Sequence, residues 1–354
     1  MEIPMSDLIF LFTMTGTLVL LLAWGFKHLP GERWQMLAVI PKHKGSGQQW
    51  QGINLTYYGF FLATSQVMAI ILLLILLGAT QVSLTGTLLT TAIILAVCLP
   101  ASRIIAILVE KKRHTFTVGG ASFVGILLAP WCILLVEYVI NTFSGCHLPM
   151  LPVMAAMSIA YTMGEGLGRL GCISFGCCYG KAITDCNLFV QRLFSRAAFI
   201  FQGPTKKAIY EGKLEGQPLV PIQAMTCILY CLTVMVGSFL FLRGHFTAAL
   251  ILSISVSQIW RILSETLRAD FRGFSRISAY QKMGALAVLY VIFIVIFIQA
   301  PQLADPDIVQ GIRLLWHPGI IIGLQIFWLI VFTVFGRSTV TTSTLSFQLV
   351  REHL

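Results

Sequence analysis

Three stretches of this chain concentrate residues whose types and spacing suit chemistry on an anion. The first is Gly164-Glu165-Gly166-Leu167-Gly168-Arg169-Leu170-Gly171-Cys172-Ile173-Ser174-Phe175-Gly176-Cys177-Cys178-Tyr179-Gly180, six glycines in seventeen residues at the end of a hydrophobic run. Glycine lets the backbone turn left-handed or approach another group closely, and successive exposed N–H groups form an anion-binding concavity. Arg169 in their midst would complete a phosphate site. Small-residue packing between membrane helices accounts for Gly164, Gly166 and Gly168 but leaves the arginine unexplained. The second stretch holds Arg261, Glu265 and Arg268 at spacings of four and three. One helix face would then carry all three, with Glu265 between two guanidinium groups. Facing a polar cavity, arginine offers a bidentate fork to phosphate, and the glutamate orients that fork or takes a proton. The alternative is an ion-pair network that closes a helix end. The third stretch, Val118-Gly119-Gly120-Ala121-Ser122, opens a membrane run just after Lys111-Lys112-Arg113-His114. A helix N-terminus there would attract an anion, although tight helix packing reads equally well. Arg103, after Pro100-Ala101-Ser102, lies deep in another run and is expected to face the protein interior. Glu137 reads as interfacial, and Tyr57 and Tyr58 read, on composition alone, as belt aromatics.

The elements that must position these residues are membrane helices. The 354 residues are 57% hydrophobic and only 11% charged, with a mean hydropathy of +0.84, where soluble domains carry roughly 25% charged residues. A bilayer core of about 30 Å needs around 20 apolar residues per crossing. Such runs occur near 8–25, 57–79, 84–109, 118–140, 149–167, 220–242, 246–265, 278–299 and 316–336. The expected fold is an all-α polytopic membrane protein of about nine transmembrane helices. The first run lacks a basic flank and a cleavage site, so it is expected to be retained. If successive runs alternate sides, the loops 26–56, 110–117, 168–219 and 266–277 and the tail 337–354 share one face. About twenty of the 24 Lys and Arg lie there, against Arg243 and Arg313 opposite, which makes that face cytoplasmic and the N-terminus external. The formal charge of +10 therefore reads as membrane orientation; no basic arm or tail points to nucleic acid. The polar stretch 181–219 is expected to form a small amphipathic cap on the membrane. Of the nine cysteines, Cys98, Cys132, Cys227 and Cys231 sit inside apolar runs, leaving Cys146, Cys172, Cys177, Cys178 and Cys186 where chemistry is plausible.

Taken in order, these blocks resemble the prolipoprotein diacylglyceryl transferase family over about Asn54 to Ile298. Tyr57-Tyr58-Gly59 resembles the family's Trp-Tyr-Gly, Ala101-Ser102-Arg103-Ile104 its Gly-Gly-Arg segment, and Gly119-Gly120-Ala121-Ser122-Phe123 its Gly-Gly-x-Ser-Phe. Gly168-Arg169-Leu170-Gly171 with Gly176 and Gly180 resembles the family signature. Pro221-Ile222-Gln223 is similar to His-Pro-x-Gln, and Arg261, Glu265 and Arg268 match Arg-x3-Glu-x2-Arg. The resemblance implies that phosphatidylglycerol gives its diacylglyceryl group to a lipobox cysteine thiol. The thiolate would attack a glycerol carbon while Arg169 and Arg261 stabilise the leaving phosphate. It implies a catalytic set of Arg169, Arg261 and Glu265; His114 is a possible base by its own position, just before Gly119-Gly120 at the membrane surface. The substrate-binding set is Arg103, Arg268, Tyr57, Tyr58, Gly119, Gly120, Ser122, Gly171, Gly176, Gly180 and Gln223. Cys177 is a possible nucleophile; no metal or cofactor is expected. The partners are a phospholipid donor, an acceptor protein cysteine or small nucleophile, and bilayer lipids. Residues 1–53 would be an added helix and basic loop, 54–298 the transferase-like domain, and 299–354 a further added helix and tail.

The chain departs from the family pattern where the acceptor is activated. The family's histidine after Gly-Gly-x-Ser-Phe is Val124 here, its signature Asn and Glu are Cys172 and Cys177, and the residues flanking Pro-x-Gln are Val220 and Thr226. The basic loops also put Arg169 and Arg268 on the cytoplasmic side of an inner membrane, opposite to the family. Two alternatives follow: a cytoplasm-facing paralogue using a small acceptor in lipid synthesis, and a lipid or anion transporter built on broken Gly-rich spans. A thiol-redox role for Cys177 and Cys178 matches Cys-x-x-Cys poorly.

Overall fold

The computed structural model describes residues 3–45, 49–110, 118–144, 147–270, 277–298 and 304–354. His114 and Cys146 lie outside them. Among the described residues the chain is mostly helical: α1 (Met5–His28), α2 (Tyr57–Ala79), α3 (Leu84–Ile105), α4 (Val118–Ser144), α5 (Met150–Phe175), short α6 (Leu188–Phe194) and α7 (Lys207–Tyr210), α8 (Ile222–Leu242), α9 (Phe246–Ser264), α10 (Ala279–Phe297), α11 (Ile308–Leu315) and α12 (Pro318–Phe335). Eight helices in this set are long and apolar enough to cross a membrane. The connectivity makes α5 a ninth.

Helix α5 falls short of the others in apolarity because protein, not lipid, surrounds it. It packs on α2, α8 and α9, and most of its residues are buried. A helix enclosed this way can carry Ser, Thr, Gly and ionisable groups that a lipid-facing helix cannot. Its glycines set the approach. A Cβ on Gly166 would meet Tyr230 Cβ at 2.9 Å, and one on Gly171 would meet the Tyr58 carbonyl at 3.0 Å. At 26 residues and about 1.5 Å each, α5 outruns the hydrocarbon core, so its Cys172 end reaches the interface. Helices α3, α4 and α10 form the outer layer beyond α9.

Two sequence expectations need correction. The segments flanking the helices are not plain loops: β1 (Met36–Lys44), β2 (Gln49–Thr56) and β3 (Arg337–Ser346) form an antiparallel sheet in the order β1-β2-β3. Their β-branched residues suit strands, and β2 to β3 pairing ties the N-terminal region to the C-terminal tail. Arg103 does not face the interior. It is exposed on α3, close enough to the helix end to reach the interface by snorkelling.

The 181–219 cap docks on the ends of α1 and α5. Gln35 and Thr205 exchange hydrogen bonds at 2.7 Å, and Phe199 pairs with Leu219. Lys206 is fully buried, 0% exposed, and its Nζ donates to the Leu29 carbonyl at 3.0 Å and the Ser174 carbonyl at 2.5 Å. Gly176 ends α5 with φ +71°, a left-handed conformation that favours glycine. A Cβ there would also come within 3.1 Å of Lys206 Cβ.

Burial pushes the Lys206 ammonium down to about 7, against the opposing pull of Glu32. Between about 7 and the unfolded lysine value the unfolded chain binds the extra proton, so stability rises with pH there, by about 1.4 kcal/mol per unit. The thermal midpoint of the purified protein is expected to climb from pH 7 to 9.5. Lys206→Met should flatten that slope while costing stability at the alkaline end, where two carbonyls lose their donor. A wild-type midpoint that falls over this interval would contradict the buried lysine.

Candidate active site

At the centre of the helical body lies Glu165 of α5, 8% exposed. One turn on, Arg169 donates from Nη2 to Glu165 Oε1 at 2.6 Å. From α9, Arg261 Nη2 reaches both carboxylate oxygens, at 2.7 and 2.6 Å, and the Tyr161 hydroxyl oxygen at 2.8 Å. Tyr161, one turn before Glu165, donates its hydroxyl to Oε2, and Ser122 of α4, which donates to the Gly119 carbonyl at 3.1 Å, lies beside it. Tyr161, Glu165 and Arg169 recur every four residues, so α5 presents them on one face. One carboxylate against two guanidiniums leaves a net charge of +1. The Nε atoms of Arg169 and Arg261 are buried and have no hydrogen-bond partner. Buried donors of this kind call for an acceptor, and a singly charged phosphodiester supplies both the oxygens and the balancing charge.

Gly119 is what lets α4 approach this cluster: a Cβ would meet Arg261 Nη1 at 2.9 Å and Tyr280 Cδ1 at 2.8 Å. Gly120 serves packing, since its Cβ position is filled by Ile105 at 2.7 Å. Arg268 lies at the α5 C-terminal end, where Gly180 pairs with it in a β-bridge and Asp270 takes its fork through two bonds of 2.7 Å. Burial pushes its guanidinium pKa down, but the Cys178 sulfur as thiolate and Asp270 outweigh that and raise it. A Cβ on Gly180 would strike the Val220 carbonyl at 2.3 Å, so the bridge depends on glycine. Gln223 donates to the Cys177 carbonyl at 2.8 Å.

The loop after α5 gathers three thiols. The sulfurs of Cys172, Cys177 and Cys178 all lie within 4.8 Å of one another. Hydrogen bonds from Cys172 and Cys177, aided by Arg268 and Arg169, hold the Cys178 thiol well below the usual range. Hydrogen bonding to Cys172 and Cys178, with burial, pushes Cys177 well above it.

The structure thus brings together Arg169, Arg261, Ser122 and Gly119, with Arg268, Gly171, Gly176, Gly180, Gln223 and the thiols toward the α5 C-terminal end. Tyr58 leans on Phe175, toward the thiols. Tyr57 instead packs its ring on Trp34 and Phe60. Glu265 does not bridge Arg261 and Arg268: α9 ends at Ser264, a 3-10 turn takes over from Glu265, and its carboxylate accepts from Ser278, the residue that caps α10. Loss of helical geometry breaks the spacing that put the three on one face. The bridging acid is Glu165, which the sequence reading passed over together with Tyr161. Its signal was present, as an acid inside a hydrophobic run four residues before an arginine.

Fold and site together define a polytopic membrane protein with a protein-enclosed cluster of two arginines around one glutamate where α5 meets α9. The sequence model for prolipoprotein diacylglyceryl transferase matches residues 48–299. This match spans well over half of the chain, which therefore belongs to that family, the transferases that move a diacylglyceryl group in lipoprotein biosynthesis. No curated protein matches the chain at a significant level.

Proposed function

We propose that the chain transfers a diacylglyceryl group from phosphatidylglycerol, or a similar anionic phospholipid, to a thiol, with Arg169 and Arg261 holding the donor phosphate. The buried, unpartnered Nε atoms of both arginines carry this reading. Glu165 fixes the two planar forks, so the donors are oriented before substrate arrives and need little reorganisation as charge gathers on the leaving phosphate. Arg268, its fork held by Asp270, stands beside the thiols at the α5 C-terminal end. Tyr161 keeps the Glu165 carboxylate hydrogen-bonded. Val124, on α4, cannot take the acceptor's proton, so acceptor activation falls to other groups.

We place the α5 C-terminal end of this cluster, on the side of the sheet and the cap, at the cytoplasmic face, the orientation that the basic loops favour. Rescue of a strain depleted of its own transferase tests acceptor and face together. Growth supports a lipobox cysteine as acceptor. Failure supports the small-acceptor paralogue, provided that Lys44→Cys and Glu215→Cys react with an impermeant maleimide only after permeabilisation. Labelling of both positions in intact cells would sink the inverted orientation.

A further inference from the structure

We propose that Cys172, Cys177 and Cys178 bind a thiophilic divalent cation of the zinc class, leaving its fourth coordination position open to the acceptor thiol.

Three observations carry the site. Zinc bound to thiolates at about 2.3 Å in tetrahedral geometry sets sulfurs about 3.8 Å apart, and these three already lie within 4.8 Å of one another. The backbone fixes them there. The amides of Gly176 and Cys177 close the α5 C-terminus on the Ile173 and Cys172 carbonyls. Cys178 is a non-glycine residue at φ +55°, a conformation persisting only where the surroundings impose it. Gln223 and the Gly180 to Arg268 bridge clamp the loop from two sides. Charge completes the case: three thiolates around a divalent ion carry one net negative charge, and Arg169 and Arg268 are close enough to act electrostatically on the trio. Among the described residues no fourth His, Cys, Asp or Glu joins the group, and three protein ligands with an open position are the pattern of catalytic rather than structural zinc.

The open position does what Val124 cannot, and this role rests on the proposed thiol transfer. An acceptor thiol that coordinates the ion loses its proton to water and is held as a thiolate. Its sulfur then forms the C–S bond to the glyceryl carbon while the C–O bond to phosphate breaks. The electron pair leaves on the phosphate oxygen held by Arg169 and Arg261. The metal changes neither charge nor oxidation state, and the products are a thioether and the phosphate monoester.

The test uses the full-length protein, purified in detergent and reduced, titrated with Zn2+ and with Co2+. One Co2+ per chain with sulfur-to-cobalt charge-transfer absorption is expected. Each of Cys172→Ser, Cys177→Ser and Cys178→Ser should weaken binding at least tenfold, whereas Cys98→Ala should not. A second measurement needs no variant: Zn2+ should protect these three thiols, mapped by mass spectrometry, from maleimide. Absence of both saturable binding and protection overturns the site, as does a disulfide within the trio that persists under reduction. Metal binding without lipid transfer would sink the assigned reaction and leave the site standing. Full-rate transfer after chelation would overturn the acceptor role alone.

Discussion

Replacing Glu165 by glutamine is expected to abolish diacylglyceryl transfer and to destabilise the protein by about 3–5 kcal/mol, the cost of breaking a buried ion pair by removing one partner. The size follows from the setting. Glu165 is 8% exposed, and it alone stands between Arg169 and Arg261 in the pairs described. Without its charge two guanidiniums face each other inside the helical body, and an amide can replace neither bond to Arg261 with equal strength. Glu265→Gln is the informative comparison, since that residue matches the family's Arg-x3-Glu-x2-Arg block yet bonds Ser278 at the α10 cap. It should cost about 1 kcal/mol or less, in the range of a lost cap, with activity largely kept. Thermal unfolding and transfer rate, measured on both variants, check the ordering. A larger loss in Glu265→Gln would place the bridging acid on the wrong helix.

Arg169→Lys and Arg261→Lys are each expected to lower kcat/KM by about 100- to 1,000-fold, the range for removing one preorganised donor of developing charge. Charge is conserved in both, so the loss isolates the planar fork. A lysine ammonium at position 261 cannot reach both Glu165 oxygens, the Tyr161 hydroxyl and a phosphate at once. The double variant should fall well short of the product of the single losses, because both arginines are held by the same carboxylate. Wild-type turnover in either lysine variant would reduce the cluster to simple ion pairing.

The helical class, the spans and the anion-handling blocks were legible in the sequence because lipid imposes a length and a hydropathy that few other constraints imitate. What stayed hidden depended on tertiary placement. Glu265 sits at the heptad-like spacing that a continuing helix would require, and only the 3-10 turn after Ser264 disqualifies it. Glu165 stands among glycines whose spacing is a signal about the backbone, whereas its own signal is the four-residue distance from Arg169. Pairing of β2 with β3 joins segments almost 300 residues apart, which no local pattern can reveal. The exposure of Arg103 depends on which face of α3 meets α4, and hydropathy does not carry that information.

Incubation of the purified, reduced protein with glycerol-labelled phosphatidylglycerol and a lipobox peptide tests the central claim most directly. Mass spectrometry should find a diacylglyceryl thioether on the peptide cysteine and one phosphate monoester released per thioether. Neither product should form with Arg169→Lys at more than about one per cent of the wild-type rate. Phosphatidylglycerol recovered unchanged after incubation with a folded wild-type protein, or a product that forms equally well without Arg169, would contradict it.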